Sequence, residues 1–233
     1  MKRIRFHSFL LPALALCLCR LPATAGLLST LFSDLGPPGS VYGVEAYPVA
    51  GEASGGTWSI ANLFTAAGSG SFAVEVDQID LAVTYTPSPH TFDASIWTDV
   101  SGSLGARVSG ADWNSLTTST VFGTCCGLVS ITAITGVHLT GGTSYFMVLT
   151  PVSLTDTSRN EWNINNQGAT GDLQSSHSIA GLVWHDSGNQ PLGAFDVLGS
   201  TDVLGSTPEP GSLLLLGTGL VGILGARCRK SNR

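Results

Sequence analysis

Basic residues are scarce in the central part of this 233-residue chain. Between Gly26 and Thr207 there are only two, Arg107 and Arg159, against fifteen acidic residues, which gives this stretch a formal charge of −13. A surface of that sign repels phosphate groups, so we expect no nucleic-acid partner and no docking of this region on anionic lipid. The other eight basic residues lie within the first 20 or the last seven positions.

Cysteine is also rare, since the same stretch contains only the adjacent pair Cys125-Cys126. No spacing is typical of a zinc site or of a CxxC redox motif, and a framework of several disulfides is excluded. Two interpretations of the pair stay open. The cysteines form a disulfide with each other in a turn, which the neighbouring Gly123 and Gly127 favour, or they pair with cysteines of another molecule.

Sequence motifs of common catalytic sites are missing, among them GxSxG, HExxH and GxxxxGK[ST]. The histidines of the central stretch are scattered singly, at positions 90, 138, 177 and 185. We therefore predict a protein that is not an enzyme. One alternative is a secreted carbohydrate-active hydrolase, which would need two carboxylates facing each other across a cleft.

A second alternative is a calcium-stabilised adhesin. Glu75, Asp77 and Asp80 lie close together in the sequence, and carboxylate oxygens are the ligands that Ca²⁺ prefers. Their spacing differs from that of an EF-hand, and acidic residues near a bend are usually just solvated. The prediction is that no cofactor is required, with calcium kept as the alternative.

Apolar and polar residues alternate with a period of two, which is typical of half-buried strands. Apolar side chains stand at 72, 74 and 76, and then on the other parity at 79, 81, 83 and 85. A bulge or tight bend at Asp77-Gln78 is required to keep both sets on the buried face. Further strands are predicted at Phe92–Trp97, Val129–Ile134, Val137–Leu139, Tyr145–Thr150, Trp162–Ile164, Ile179–Trp184 and Phe195–Leu198, with a hairpin-type turn at Gly141-Gly142. No amphipathic helix is evident, so residues 26–206 are predicted to form an all-β sandwich or jelly roll.

Five tryptophans suggest a second property of this region. A flat indole ring can stack on a sugar ring, and the polar residues at 163 and 165–167 would supply hydrogen bonds to sugar hydroxyls. Trp162 and Trp184 have polar neighbours, and we predict that these two are exposed contacts for polysaccharide. The alternative is that they belong to the core, because tryptophan is large and well suited to strands.

The first 25 residues have the pattern of a secretory signal peptide. Lys2, Arg3 and Arg5 precede a short apolar run, and Ala23 and Ala25 supply the small side chains that a signal peptidase requires. We predict export by the secretion machinery and removal of residues 1–25.

The C-terminal residues have three parts. Pro208-Glu209-Pro210 is extended because each proline restricts the backbone. Residues 211–226 are uncharged, and as a transmembrane helix they would reach about 24 Å. The basic residues that follow would remain on the cytoplasmic side of the inner membrane and stop transfer of the chain; they are Arg227, Arg229, Lys230 and Arg233.

This three-part order over residues 207–233 resembles the PEP-CTERM sorting signal of exported proteins in Gram-negative bacteria. The resemblance implies recognition by an exosortase, brief anchoring with the domain outside the cytoplasm, and then a place at the cell surface or in an extracellular matrix, in hosts that usually make exopolysaccharide and biofilm. The central region is similar, on Asp77–Tyr85, Tyr145–Leu149 and Ala194–Val197, to choice-of-anchor β-sandwich domains, most of which have no assigned activity.

Overall fold

Strands account for nearly all regular structure in residues 28–68, 73–86, 90–177 and 182–200, which are those that the computed structural model describes. In chain order they are β1 Ser29–Ser33, β2 Ala46–Ala50, β3 Ser59–Thr65, β4 Ala73–Leu81, β5 Val83–Tyr85, β6 Thr91–Val100, β7 Ser103–Thr117, β8 Val129–Ile131, β9 His138–Thr140, β10 Ser144–Pro151, β11 Arg159–Asn163, β12 Thr170–Ser176, β13 His185–Pro191 and β14 Phe195–Ser200. A short 3-10 turn, Glu52–Ser54, is the single helical segment within those ranges. None of their helices is long and apolar enough to cross a membrane.

The strands form three sheets, and every pair of neighbouring strands is antiparallel. The six-stranded sheet has the order β13-β12-β3-β10-β6-β7. The five-stranded sheet has the order β1-β14-β4-β8, with β9 also paired to β4. The three-stranded sheet has the order β2-β11-β5.

One apolar core is shared by the inward faces of all three sheets. The six-stranded sheet supplies one side of this core, for example Phe92 and Met147, and the two smaller sheets supply the other, for example Phe195 and Trp162. Strand periodicity therefore places alternate side chains in a layer between sheets, as the pattern of the sequence predicts. The prediction of an all-β sandwich is confirmed for the described residues.

The predicted bulge occurs in β4. Opposite it in β14, Leu198 pairs with Gln78 and Gly199 pairs with Val76, so Asp77 is the extra residue. Val76 and Ile79 are consequently both fully buried although they differ in parity. The change of parity in the hydrophobic pattern marks an inserted residue. Because of this insertion, the apolar side chains of both halves of β4 point into the core.

A smaller apolar cluster lies on the outward face of the six-stranded sheet, and we call it the outer cluster. Its buried members are Ala61, Phe146 and Val148. Four partly buried side chains pack around them: Leu63, Trp97, Leu104 and Trp184. Because β10 is covered on both faces, it has the continuous apolar sequence of a buried strand.

Two of the predicted elements are wrong. Residues 182–184, the described part of the predicted strand Ile179–Trp184, are not in a strand, and β13 begins only at His185. The turn at Gly141-Gly142 does not close a hairpin, because β9 pairs with β4 whereas β10 pairs with β3 and β6. The chain instead passes from one sheet to the other at this turn, where Gly142 has a φ of 73°.

Several strands had no counterpart in the hydrophobic pattern, among them β7, β12 and β13, whose sequences are largely polar. β13 and the 15-residue β7 are the edge strands of the six-stranded sheet. An edge strand needs only one hydrogen-bonded neighbour and no continuous apolar face. β7 also shifts register three times against β6, which interrupts any regular alternation.

Candidate functional site

Trp162 is a core residue, so the prediction that it is an exposed glycan contact is wrong. Its side chain is fully buried, and its indole Nε1 donates a hydrogen bond to the carbonyl oxygen of Ala194 at 3.1 Å. The ring packs 5.7 Å from that of Phe195, measured between centroids. A buried indole needs an acceptor for its N–H, and this backbone oxygen supplies it.

The polar residues after Trp162 are structural as well. The Asn163 side chain donates to the Ala82 carbonyl oxygen at 2.9 Å, and that of Asn165 donates to the Leu192 carbonyl oxygen at 2.8 Å. Asn166 is exposed, but its amide binds the backbone of Ser40. These side chains connect loops to one another, which accounts for a polar sequence beside a buried tryptophan.

Trp184, the second predicted glycan contact, is half-buried because it packs in the outer cluster, so the predicted exposure of its ring is only partial. Close by in that cluster, the Trp97 indole donates to Ser95 Oγ at 2.9 Å, and the Arg107 guanidinium lies 5.4 Å from the centroid of the Trp97 ring. Arg107 also forms an ion pair with Asp112 at 2.6 Å. The outward side of the Trp97 ring is therefore occupied by a side chain of the protein itself.

The adjacent cysteines form a disulfide with each other, Cys125–Cys126. The turn favoured by the neighbouring glycines is present, since Thr124 N–H donates to the Val121 carbonyl oxygen and Gly123 has a φ of 86°. Tyr42 Oη donates to the Thr124 carbonyl oxygen at 3.2 Å, which attaches this turn to the body. A shallow depression next to the disulfide is lined by Tyr42 and Asn163.

The acidic residues of β4 do not converge on one point. Glu75 accepts a hydrogen bond from Gly136 N–H at 3.0 Å, while Asp80 accepts from Gln78 and from Ser130. One carboxylate oxygen of Asp77 is buried without a hydrogen-bond partner among the described residues. Within the described ranges, no three acidic, histidine or cysteine side chains are arranged to hold a metal ion.

Asp34 is the acid most affected by its surroundings. Its side chain is only 3% exposed, and its Oδ1 accepts a hydrogen bond from Phe195 N–H at 2.7 Å. The pKa of Asp34 is raised to about 7, mainly by burial and also by the neighbouring Asp196 carboxylate, and the bond from Phe195 opposes this shift. The bond joins the residue that follows β1 to the first residue of β14, Phe195, whose ring packs against that of Trp162.

An open depression with a volume of about 210 Å³ lies on the outward face of the three-stranded sheet. Pro48 and Ala50 line it from β2, Arg159 from β11, and Trp58 with the Ser54–Gly56 turn from the chain before β3. Trp58 is 37% exposed, and the ring of His177 packs edge-on against it at 3.8 Å between centroids. Sequence reasoning missed this site because residues 26–65 are rich in glycine, proline and serine and gave no strand in the hydrophobic pattern.

Backbone pairing defines the geometry of the depression. Ala50 pairs with Arg159 on one side and with Trp58 on the other. Directly paired residues of antiparallel strands project to the same face, and two strand spacings separate the outer pair by about 10 Å. Trp58 and Arg159 therefore form two opposite walls, with only a methyl group between them.

The Arg159 guanidinium is oriented by Glu161. Its Nε lies 3.1 Å from Glu161 Oε1, and the Glu161 side chain is only 8% exposed. Among the described residues, Glu161 is the one hydrogen-bond partner of this guanidinium. A charged donor that is already neutralised suits hydroxyl groups as well as anions.

Several predicted functional residues lie outside the described residues. They are Ala23 and Ala25 of the signal peptidase site, Pro208, Glu209 and Pro210 of the sorting motif, residues 211–226 of the transmembrane helix, and the basic residues Arg227, Arg229, Lys230 and Arg233.

Comparison with known proteins concerns the same C-terminal segment. Residues 206–230 match the PEP-CTERM protein-sorting motif. Neither a curated protein nor a solved structure matches the chain.

Proposed function

We propose that this chain is a non-enzymatic surface or extracellular-matrix protein that associates with exopolysaccharide. It carries a PEP-CTERM sorting motif, which marks an exported protein for processing by an exosortase and leads it to the cell surface. The sorting motif is the observation that carries the proposal. The motif supports a location at the cell surface, and we propose that the β-sandwich is the region that associates with polysaccharide there.

Two features of the described residues support association with polysaccharide. Trp58 presents an apolar ring to solvent beside hydrogen-bond donors, which is the combination that sugar rings with hydroxyl groups require. The −13 charge of residues 26–207 favours neutral or cation-bridged glycans over polyanions. The absence of catalytic sequence motifs supports a role in binding instead of hydrolysis.

Processing is tested by replacing Pro208, Glu209 and Pro210 together by alanine. Alanine permits helix to continue from the apolar segment, which would hide the extended cleavage site. We expect normal export but loss of C-terminal trimming in a host with an exosortase, measured by the mass of the membrane-associated protein. The control Pro37→Ala/Pro38→Ala leaves the motif intact and should be trimmed normally. Trimming of the triple variant at the wild-type rate would overturn the sorting role of this motif.

Association is tested by co-sedimenting the exported protein with the host's own exopolysaccharide. We expect retention of the protein in the polysaccharide pellet and no release of reducing sugars. Release of sugars that is abolished when one carboxylate is changed to its amide would instead establish the hydrolase alternative. A protein that remains in the supernatant at all concentrations would contradict the matrix role.

A further inference from the structure

We propose that Trp58 and Arg159 form a subsite that binds one neutral sugar ring of a polysaccharide chain, in the depression on the outward face of the three-stranded sheet. This inference rests on the proposed function and names the place where association occurs. It also replaces the contacts predicted at Trp162, which is buried, and at Trp184, which is half-buried in the outer cluster.

The position of the Trp58 ring is defined by its backbone and by its neighbour. Trp58 N–H donates to the Ala50 carbonyl oxygen at 2.8 Å, and Ala50 N–H donates to the Trp58 carbonyl oxygen at 3.0 Å. The edge-on His177 ring, at an interplanar angle of 89°, supports the indole from the side. A ring held in this way loses little conformational entropy when a ligand stacks on it.

Glycine at position 56 keeps the rim beside the indole free of side chains. Gly56 has a φ of 145°, a conformation that other residues rarely adopt, and a Cβ there would lie 3.1 Å from Trp58 Nε1. Gly55 also has a positive φ, of 107°. The turn thus brings backbone alone to this edge, where a ligand hydroxyl can accept from the indole N–H.

The opposite wall favours a neutral ligand. Arg159 is paired with Glu161, so the guanidinium adds hydrogen-bond donors without a large excess of positive charge. A uronate-rich chain would gain one favourable contact there but would meet the acidic surface elsewhere. Hydroxyl groups of a neutral hexose can accept from the two terminal nitrogens of the guanidinium and meet no such repulsion.

The size of the depression limits the ligand to a small unit. Its volume of about 210 Å³ is below the range of about 300–1,000 Å³ found for pockets of drug-sized ligands. It is open to solvent along the sheet, so a polymer can pass across it. The site therefore contacts one residue of a longer chain and does not enclose a free oligosaccharide.

The test uses the processed protein purified from its exosortase-bearing host, with affinity electrophoresis in gels that contain dextran, galactomannan, alginate or the host's own exopolysaccharide. We expect retardation by at least one neutral polymer or by the host polymer, and none by alginate. Trp58→Ala should weaken binding by about ten- to hundredfold, by analogy with the stacking of nucleobases on aromatic rings. Arg159→Gln should weaken it less.

Two matched controls address other residues of the same types. Arg107→Gln changes the other arginine of the sandwich, and Trp184→Ala changes the half-buried tryptophan of the outer cluster; both should bind as the wild type does. Wild-type affinity in both Trp58→Ala and Arg159→Gln would overturn the subsite while leaving association with polysaccharide intact. Failure of the wild type to bind any of the four polymers would overturn both proposals, and preferential binding of alginate would overturn the neutral class.

A second measurement does not depend on whether Trp58→Ala folds. Acrylamide quenches exposed indole fluorescence, and bound polysaccharide should protect Trp58 from it in the wild type. In Trp58→Phe, which retains an aromatic ring, we expect binding within about tenfold of the wild type but no protection of the remaining tryptophans. Protection that persists in Trp58→Phe would place the sugar on another tryptophan and reject this subsite.

Discussion

The two faces of β11 lie beside two different tryptophan environments. On the inward face, Trp162 is sealed between sheets and its indole N–H is satisfied by the backbone. On the outward face, Arg159 faces the depression whose far wall is the partly exposed Trp58. Both tryptophans have a glycine next to the ring, Gly193 and Gly56. A tryptophan ring packed against a glycine is therefore part of the core on the inward face and borders an open depression on the outward face.

The largest expected difference between the two faces is in stability. Trp162→Ala would leave a cavity in the core, so we expect a loss of about 3–5 kcal/mol in the free energy of unfolding, measured by urea denaturation. Trp58→Ala removes a partly exposed ring and should cost about 1 kcal/mol or less. Equal losses in the two variants would mean that Trp58 is also part of the core, and the contrast between the faces would fail.

The next prediction is a dependence of folding stability on pH, and it concerns the buried residue Asp34. The pKa of Asp34 is about 7 in the folded protein, against an ordinary value of 3.8, so the folded state holds a proton that the unfolded state has lost between these pH values. Stability should therefore decrease as the pH rises from about 4 to about 7, by at most about 4 kcal/mol for this group. Asp93 and Asp196, whose pKa values are raised by burial, act in the same direction.

The variant Asp34→Asn isolates the contribution of this residue. Its amide oxygen can still accept from Phe195 N–H but does not titrate, so melting temperatures at pH 4 and pH 8 should lie closer together than in the wild type. Glu52→Gln, which changes an exposed acid in the 3-10 turn, serves as the control. An unchanged pH slope in Asp34→Asn would show that other acids are responsible.

A smaller loss of stability is expected from a substitution at Gly193, the glycine beside Trp162. A Cβ at Gly193 would lie 2.6 Å from ring atoms of Trp162, so Gly193→Ala must displace the indole at a cost of about 1–3 kcal/mol. At Gly43, in the same part of the fold, a Cβ would lie 3.2 Å from the Ile164 carbonyl oxygen, and Gly43→Ala should be milder. A shift of the tryptophan emission maximum in Gly193→Ala alone would locate the strain at Trp162, whereas equal melting temperatures in the two variants would contradict it.

The strands that could be predicted are those whose burial leaves a regular apolar pattern, on one face in β4 and on both faces in β10. The alternation in β4, including its bulge at Asp77, and the apolar run of β10 indicated strands because burial selects side chains at fixed intervals. β7 and β13 could not be predicted in this way, since edge strands are stabilised by backbone hydrogen bonds that leave little trace in side-chain composition. The absence of a helix pattern was equally informative, and it led to the correct fold class.

The candidate site could not be predicted, for a related reason. In β11 the inward residue Asn160 is polar yet fully buried, and its side chain donates to the Thr91 carbonyl oxygen at 2.9 Å. This removes the apolar alternation that would have assigned Trp162 to the core. Trp58, conversely, lies just after Gly55-Gly56 and outside every strand that the hydrophobic pattern predicted.

The sequence alone determined the all-β class, the bulge in β4, the acidic character of the central region and the sorting motif at the C-terminus. Each of these depends on residues that are near one another in the chain, or on composition, and so does not require a partner strand to be known. The tertiary structure decided that Trp162 is buried and that Trp58 is partly exposed. That depends on pairings such as Ala50 with Arg159, more than 100 residues apart, and on the face to which each pair of strands turns its side chains.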